Sequence, residues 1–235
     1  LNEEPADHND EEAPPRFESF PNDTLATALA RHNIAWPEDR LALLDQYCRV
    51  LWDWNEKINL TRHTDYERFV ARDVVDTVQL SQLILPNEEV IDIGSGGGVP
   101  GIPLAILRPD LTITLTESVG KKARVLADMV KQLKLRIRVE PVRAEKIMVD
   151  ERFDVTTARG VGSLAKMLTW FKDHWLSVGR LLAIKGPKWT GERGEARHYN
   201  LLNDLELRVA DSYPMAGTSS ESVVLKIWPK GAQEK

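Results

Sequence analysis

The chain predicts an α/β fold: a mostly parallel sheet covered by helices on both faces, closed by an antiparallel hairpin and preceded by a helical extension. Three observations carry this expectation. Short apolar runs alternate with helical segments after residue 87. A glycine-rich turn, "GSGGGVPG", joins the first of those runs to the first of those helices. The last two runs, "LELRVADSYP" and "SVVLKIWPK", are joined by a turn-rich link with no helix between them.

Between residues 22 and 84 the rhythm is helical. Leu41, Leu44, Cys48, Leu51 and Ile58 recur at spacings of three, four and seven, one face of a helix. Phe69, Val70, Val74, Val78 and Leu83 continue it until Leu85, Pro86 and Asn87 break the pattern. The next five apolar runs are "EVIDIG", "LTITLTE", "RIRVEPV", "FDVTTAR" and "GRLLAIKG". Between them lie "GIPLAILR", "GKKARVLADMVKQLKL" and "SLAKMLTWFKDHWL", so strand and helix alternate as in βαβ units, which build parallel sheets. Three regions follow: an acidic tail over 1–20, a helical part over 21–86, and the sheet domain over 87–235.

Composition bounds what this fold can do. The 235 residues include 42% apolar side chains and seven tryptophans, enough for a substantial core. A single cysteine, Cys48, excludes a disulfide framework or a cysteine metal site and suits a reducing compartment. No apolar run approaches the roughly 20 residues of a membrane span, and the acidic opening is unlike a basic-then-apolar leader. Net charge is −5, but residues 1–20 hold seven acids against Arg16, leaving +1 for the rest. The tail is expected to be disordered, because its few apolar residues cannot offset the entropy of ordering it. The near-neutral body leaves a nucleic-acid partner open.

The glycine turn admits three ligands. A phosphate-binding P-loop needs Lys-Ser or Lys-Thr after its glycines, and none follows. Gly96, Gly98 and Gly101 satisfy the dinucleotide fingerprint G-x-G-x-x-G, and Glu117 follows at the distance of a ribose-binding acid. Two residues tilt the balance. Asp92 stands two positions before the first glycine, an awkward neighbour for a pyrophosphate and a good one for a cationic group. Pro100 removes a backbone N–H that a pyrophosphate site would use. A ligand with a cationic amino-acid end, a ribose and an adenine fits best, which describes S-adenosylmethionine. Asp92 then faces the amino or sulfonium end, Gly94, Gly96 and Gly98 let the backbone pass beneath the methionine moiety, Glu117 accepts from the ribose hydroxyls, and Ala144 and Glu145 border the adenine.

These residues, with others along the chain, resemble the small-subunit ribosomal RNA methyltransferase G family, also called glucose-inhibited division protein B. "WNEKINLT" (54–61) looks like the family's N-terminal motif and is followed by the Arg72…Asp76 helix; "DIGSGGGVPGIPLAI" is similar to its cofactor loop, including Pro-Gly-Ile-Pro; "TLTESVGKKARVL", "FDVTTAR" and "LLAIKG" resemble its later strands. Together they cover about residues 40 to 230. By position the resemblance implies cofactor contacts at Gly94, Val99, Glu117, Ala144, Glu145 and Arg159, with Ser118 and Val119 counted beside Glu117. It implies a Rossmann-like S-adenosylmethionine-dependent methyltransferase acting on N7 of a guanine in 16S ribosomal RNA, the family's target being guanine 527. The chain departs from the family at Asp73, usually His, at Thr77, usually Ser, and at Gly160 and Val161, usually Ala-Phe. "ESVVLKIW" also lacks the basic or His-like pair that often opens the last strand.

Guanine N7 has a free lone pair and no proton to lose, so no general base is expected, and the five scattered histidines have no ligand spacing. No metal, no membrane contact, a monomeric state and a cytoplasmic location are expected, with 16S rRNA or the 30S subunit as partner. RNA requires phosphate contacts; Lys185, Lys188, Arg193 and Arg197, flanking Trp189, are the candidates. The rival readings are a methyltransferase on another RNA or a small molecule, and a non-catalytic ribosome-binding module.

Overall fold

The computed structural model describes residues 17–18 and 20–232. The expected tail, but for residues 17, 18 and 20, lies outside the described residues. Two helices, α1 (Leu25–Arg31) and α2 (Glu38–Asn55), come first. A third helical stretch runs from α3 (Tyr66–Arg68) through a π-helical segment, Phe69–Val74, into α4 (Val75–Ser81). Asp65 starts this stretch by accepting the Arg68 N–H at 2.8 Å, satisfying one of the orphan donors of a helix start. The π segment has no signature in the apolar periodicity.

A seven-stranded sheet follows, with β1 (Glu89–Ile93), β2 (Thr112–Thr116), β3 (Arg138–Glu140), β4 (Phe153–Arg159), β5 (Val178–Lys185), β6 (Leu205–Pro214) and β7 (Glu221–Pro229). Their order is β3-β2-β1-β4-β5-β7-β6. The first five strands are mutually parallel, and β7 inserts antiparallel between β5 and β6. The expected closing hairpin is therefore present, with its second strand, not its first, against the parallel sheet.

Helices α5 (Gly101–Leu107), α6 (Gly120–Gln132), α7 (Ala144–Ile147), α8 (Leu164–Phe171) and α9 (Trp189–His198) connect the strands. The sequence does not announce α9: "WTGERGEARH" holds two glycines and buries only Ala196, so it has no apolar stripe to read.

Because successive strand residues face opposite sides, the sheet feeds two cores. Val90, Val155, Leu182 and Ile184 pack with Leu44, Tyr47, Leu51, Phe69, Leu104 and Leu126 on one face. Ile91, Ile93, Ala158, Leu181 and Ala183 pack with α8, Ala196 and the strand β7 residues on the other. The N-terminal helices thus share their core with α5, α6 and the sheet. Strands β1 and β4 are buried on both faces, as expected for central parallel strands; β4 carries the buried hydroxyls of Thr156 and Thr157, and the buried residues of β1 are apolar but for one. Asp92 is the exception, a carboxylate in the middle of the sheet with 1% exposure. Among the described residues, no helix is long and apolar enough to cross a membrane.

Candidate active site

Strand β1 ends in a turn in which Gly94 takes φ +65° and Gly98 φ +101°, backbone conformations that side chains disfavour. Space is short as well. A Cβ on Gly94 would lie 3.0 Å from Val161 Cγ1, and one on Gly98 only 2.6 Å from Ile102 Cδ1. The turn is braced from both sides. Ser95 N–H donates to the Thr116 carbonyl at 2.9 Å, and Tyr47 O–H donates to the Gly97 carbonyl at 2.9 Å.

Glu117, just past β2, closes the turn. Its carboxylate accepts the Gly96 N–H at 3.1 Å and the Val119 N–H at 2.7 Å. It thereby fixes both the glycine turn and the start of α6. The side chain is buried but faces a cavity of about 290 Å³ across the carboxyl ends of β1 and β2. Open α/β sheets bind ligands at this edge. Gly94, Glu117 and Ser118 line one side, Ala144 and Glu145 at the start of α7 another, and Val161, Lys166, Trp170 and Phe171 a third.

The other expected cofactor residues stand off this cavity. Gly96, Gly98, Val99 and Val119 form the turn and the entry to α6 without lining it. Asp92 lies beneath, registered against Thr157 of β4, whose hydroxyl donates to Asp92 Oδ1 at 2.7 Å. Asp92 Oδ2 is buried with no hydrogen-bond partner. Burial pushes the Asp92 carboxyl up to about 6, against the smaller opposing pull of Thr157, Ser95 and Arg159.

Arg159, at the end of β4, turns away from the cavity. Its Nη2 donates to Asp73 and its Nη1 lies 3.3 Å from Asp76 Oδ2. Asp73 also meets His63 Nδ1 at 2.9 Å, and Asp76 accepts the Tyr213 hydroxyl at 2.7 Å. Burial opposes ionisation of Asp73, yet Arg159 and His63 outweigh it and hold its carboxyl below the usual value. Asp76, where burial prevails over the same arginine, is shifted upward. Asp73 is thus the principal anchor of Arg159.

The expected RNA contacts divide. Lys188 and Arg197 are exposed on or beside α9, and Arg193 lies over the Trp189 ring at 5.1 Å. Lys185 departs from an outward RNA contact. It is buried, its Nζ donates to the Gly162 carbonyl at 2.5 Å, and it pairs with Glu192 at 2.6 Å. A strand-end lysine in the sheet interior needs such partners, because an unpaired buried charge is costly.

Sequence reasoning missed Lys166, Trp170 and Phe171. The apolar stripe of "SLAKMLTWF" indicates a helix, but nothing in its periodicity distinguishes the side chains that meet the sheet from those that edge a cavity. Among the described residues no group of His, Cys, Asp and Glu side chains is arranged to hold a metal.

The family model described as "rRNA small subunit methyltransferase G" matches residues 40–213. A ribosomal RNA small subunit methyltransferase G from Rhodopirellula baltica is 51% identical over 195 residues, 83% of this chain and 84% of that protein. One from a Roseiflexus species is 40% identical over 194 residues, 80% and 82% of the two chains. Among solved structures, the precorrin-6y C5,15-methyltransferase of Geobacter metallireducens superposes with a TM-score of 0.52 at 14% identity, covering 75% of this chain and 96% of that one. At that identity it shows a shared fold.

Proposed function

This chain belongs to the rRNA small subunit methyltransferase G family, and on that premise we propose which of its residues carry the reaction. It is an S-adenosylmethionine-dependent methyltransferase that modifies N7 of a guanine in 16S ribosomal RNA. We propose as its target within that RNA the guanine 527 typical of the family.

One observation carries the residue assignment: the cavity at the carboxyl edge of β1 and β2 combines a carboxylate, a glycine at φ +65° with little room for a Cβ, and an apolar wall. Those features suit the cofactor. Glu117 accepts from the ribose hydroxyls with lone pairs left over from Gly96 and Val119. Gly94 lets the chain pass close to the methionine moiety. Ala144, Glu145, Met148 and Trp170 bracket the adenine, with Ser118 beside it. Asp92 contributes its charge from beneath the turn, and Gly96, Gly98, Val99 and Val119 hold the turn's shape. Arg159 acts through the acidic pair at the cavity's flank. When bound, the cofactor supplies a methyl on a cationic sulfur, which passes to the N7 lone pair and carries positive charge onto the base without releasing a proton.

The protein's share is to align the two, exclude water and hold negative charge nearby. We take the enzyme to act as a monomer without a metal ion, the latter supported by an acceptor atom that needs no deprotonation. We place the enzyme in the cytoplasm on the strength of its ribosomal substrate. Lys188, Arg193 and Arg197 are the proposed phosphate contacts, supported by their outward cluster on α9.

Labelled S-adenosylmethionine incubated with 30S subunits or naked 16S RNA from cells lacking the activity tests the reading. Transfer to guanine-containing RNA, and none when the target is 7-deazaguanine, is the expected result. Full methylation of the 7-deaza RNA would remove the N7 assignment, and no transfer at all the function.

A further inference from the structure

A second cavity, of about 350 Å³, lies at the carboxyl ends of β4 and β5. It shares a wall with the first: Val161 lines the cofactor cavity, while its neighbours Gly160 and Gly162 line this one. Its charged lining consists of Arg72, Asp76, Arg159, Lys185 and Glu192. Four of the five have partners already. Arg159 is held by Asp73 and Asp76, Asp76 also accepts from Tyr213, and Lys185 pairs with Glu192.

Arg72 is different. Half-buried, its guanidinium makes no hydrogen bond or ion-pair contact with any described residue and acts on Asp76 only through its field. A guanidinium drawn partly out of water without a partner is unfavourable unless a ligand completes it. It also sits in the π-helical segment Phe69–Val74, a distortion found disproportionately at functional sites. Glu192 carries the opposite opportunity. Lys185 and the Leu164 N–H both bind its Oε2, at 2.6 and 2.7 Å, and Oε1 accepts from neither of them.

A donor and an acceptor on one cavity are the complement of guanine's O6 and its N1–H and N2–H₂ edge. Adenine would set an amino group against Arg72 and offer no N1–H to Glu192. The usual bidentate arginine on O6 and N7 would block the acceptor atom; a single bond to O6 leaves N7 free. We propose that this cavity receives the acceptor guanine, with Arg72 donating to O6 and Glu192 accepting from the Watson–Crick edge. This rests on the methyltransferase reading above, and it makes Arg72 the residue that specifies the base.

The test uses 16S RNA fragments carrying guanine or 6-thioguanine at the target, the latter replacing O6 by a weak hydrogen-bond acceptor while keeping N1–H, N2–H₂ and N7. Single-turnover methylation by the wild type should favour guanine by about ten- to a hundredfold. Arg72→Ala should slow methylation of guanine by a similar factor and leave 6-thioguanine within about twofold, so the discrimination disappears. Arg72→Met, which keeps the packed stem, should behave alike, with calorimetric cofactor affinity and melting temperature unchanged. Retained discrimination in both variants, or loss of cofactor affinity in both, overturns the assignment alone. Absence of transfer by the wild type to guanine RNA overturns the reading beneath it as well.

Discussion

Glu117 and Gly96, 21 residues apart, are joined by a 3.1 Å hydrogen bond from the glycine N–H to the carboxylate. The same side chain takes the Val119 N–H at 2.7 Å, so one carboxylate shapes the glycine turn and the start of α6 before any ligand arrives. The site is preorganised by the group proposed to bind the ribose.

Glu117→Ala should therefore do two things. It leaves two partly buried N–H groups without their acceptor, lowering the melting temperature, and it removes two charge-assisted bonds to ribose. The latter is worth roughly 2–3 kcal/mol, or about thirty- to a hundredfold in cofactor affinity. Calorimetry finding wild-type affinity would place the ribose elsewhere.

Asp92→Asn should stabilise the protein and weaken the cofactor together. The folded-state value of about 6 exceeds the ordinary 3.8, so folding takes up a proton between them. Stability therefore falls as pH rises through that interval, and the ionised group is a liability above it. Asparagine should raise stability at about pH 7.5 by up to roughly 2 kcal/mol, the gain vanishing below about pH 4. Losing a negative charge beneath a cationic ligand should cost affinity by about tenfold. A lower melting temperature for the variant at neutral pH would contradict the unpartnered state of Oδ2.

Asp73→Asn should be destabilising by about 3 kcal/mol, since it strips Arg159 of its nearest counter-charge in a buried cluster. The pH dependence has the opposite sign from that of Asp92. Asp73 is held below the ordinary 3.8, so its contribution is present in full above that value and is lost as pH falls through the lower folded one. Melting curves of the two proteins should converge in strong acid; a constant separation there would assign the loss to packing.

Methyl transfer should be nearly independent of pH between about 7 and 9, because N7 attack needs no base. Any decline in more acidic solution should follow Asp92, at about 6, and should disappear in Asp92→Asn. Single-turnover rates with saturating cofactor and RNA give the profile. A rise of tenfold across the alkaline range would point to an acceptor that loses a proton.

Much of this was legible in the chain itself. Parallel strands buried on both faces are short runs rich in apolar and β-branched residues, so "EVIDI", "FDVTTA" and "GRLLAIK" announce β1, β4 and β5, and Asp92 stands out as a carboxylate within a buried run. Glu117 is readable for the same reason: it is the acid at the end of the next strand, and the fold places strand ends together. Periodicity reports which face of an element is buried. It does not report which polar groups from distant segments meet. That Thr157 lies against Asp92, that Arg159 turns to Asp73 across 86 residues, and that Lys185 is consumed by Glu192 depended on the register of β1 with β4 and on how the π-helical segment and α9 pack. The same limit hid Arg72, which reads as an ordinary helix-surface arginine until the tertiary structure leaves it without a hydrogen-bonded partner at a cavity's edge. Local chemistry therefore selected the fold and the strand-end residues that line the cavity, while the long-range pairing of buried charges decided which guanidinium kept its hydrogen-bond donors unused.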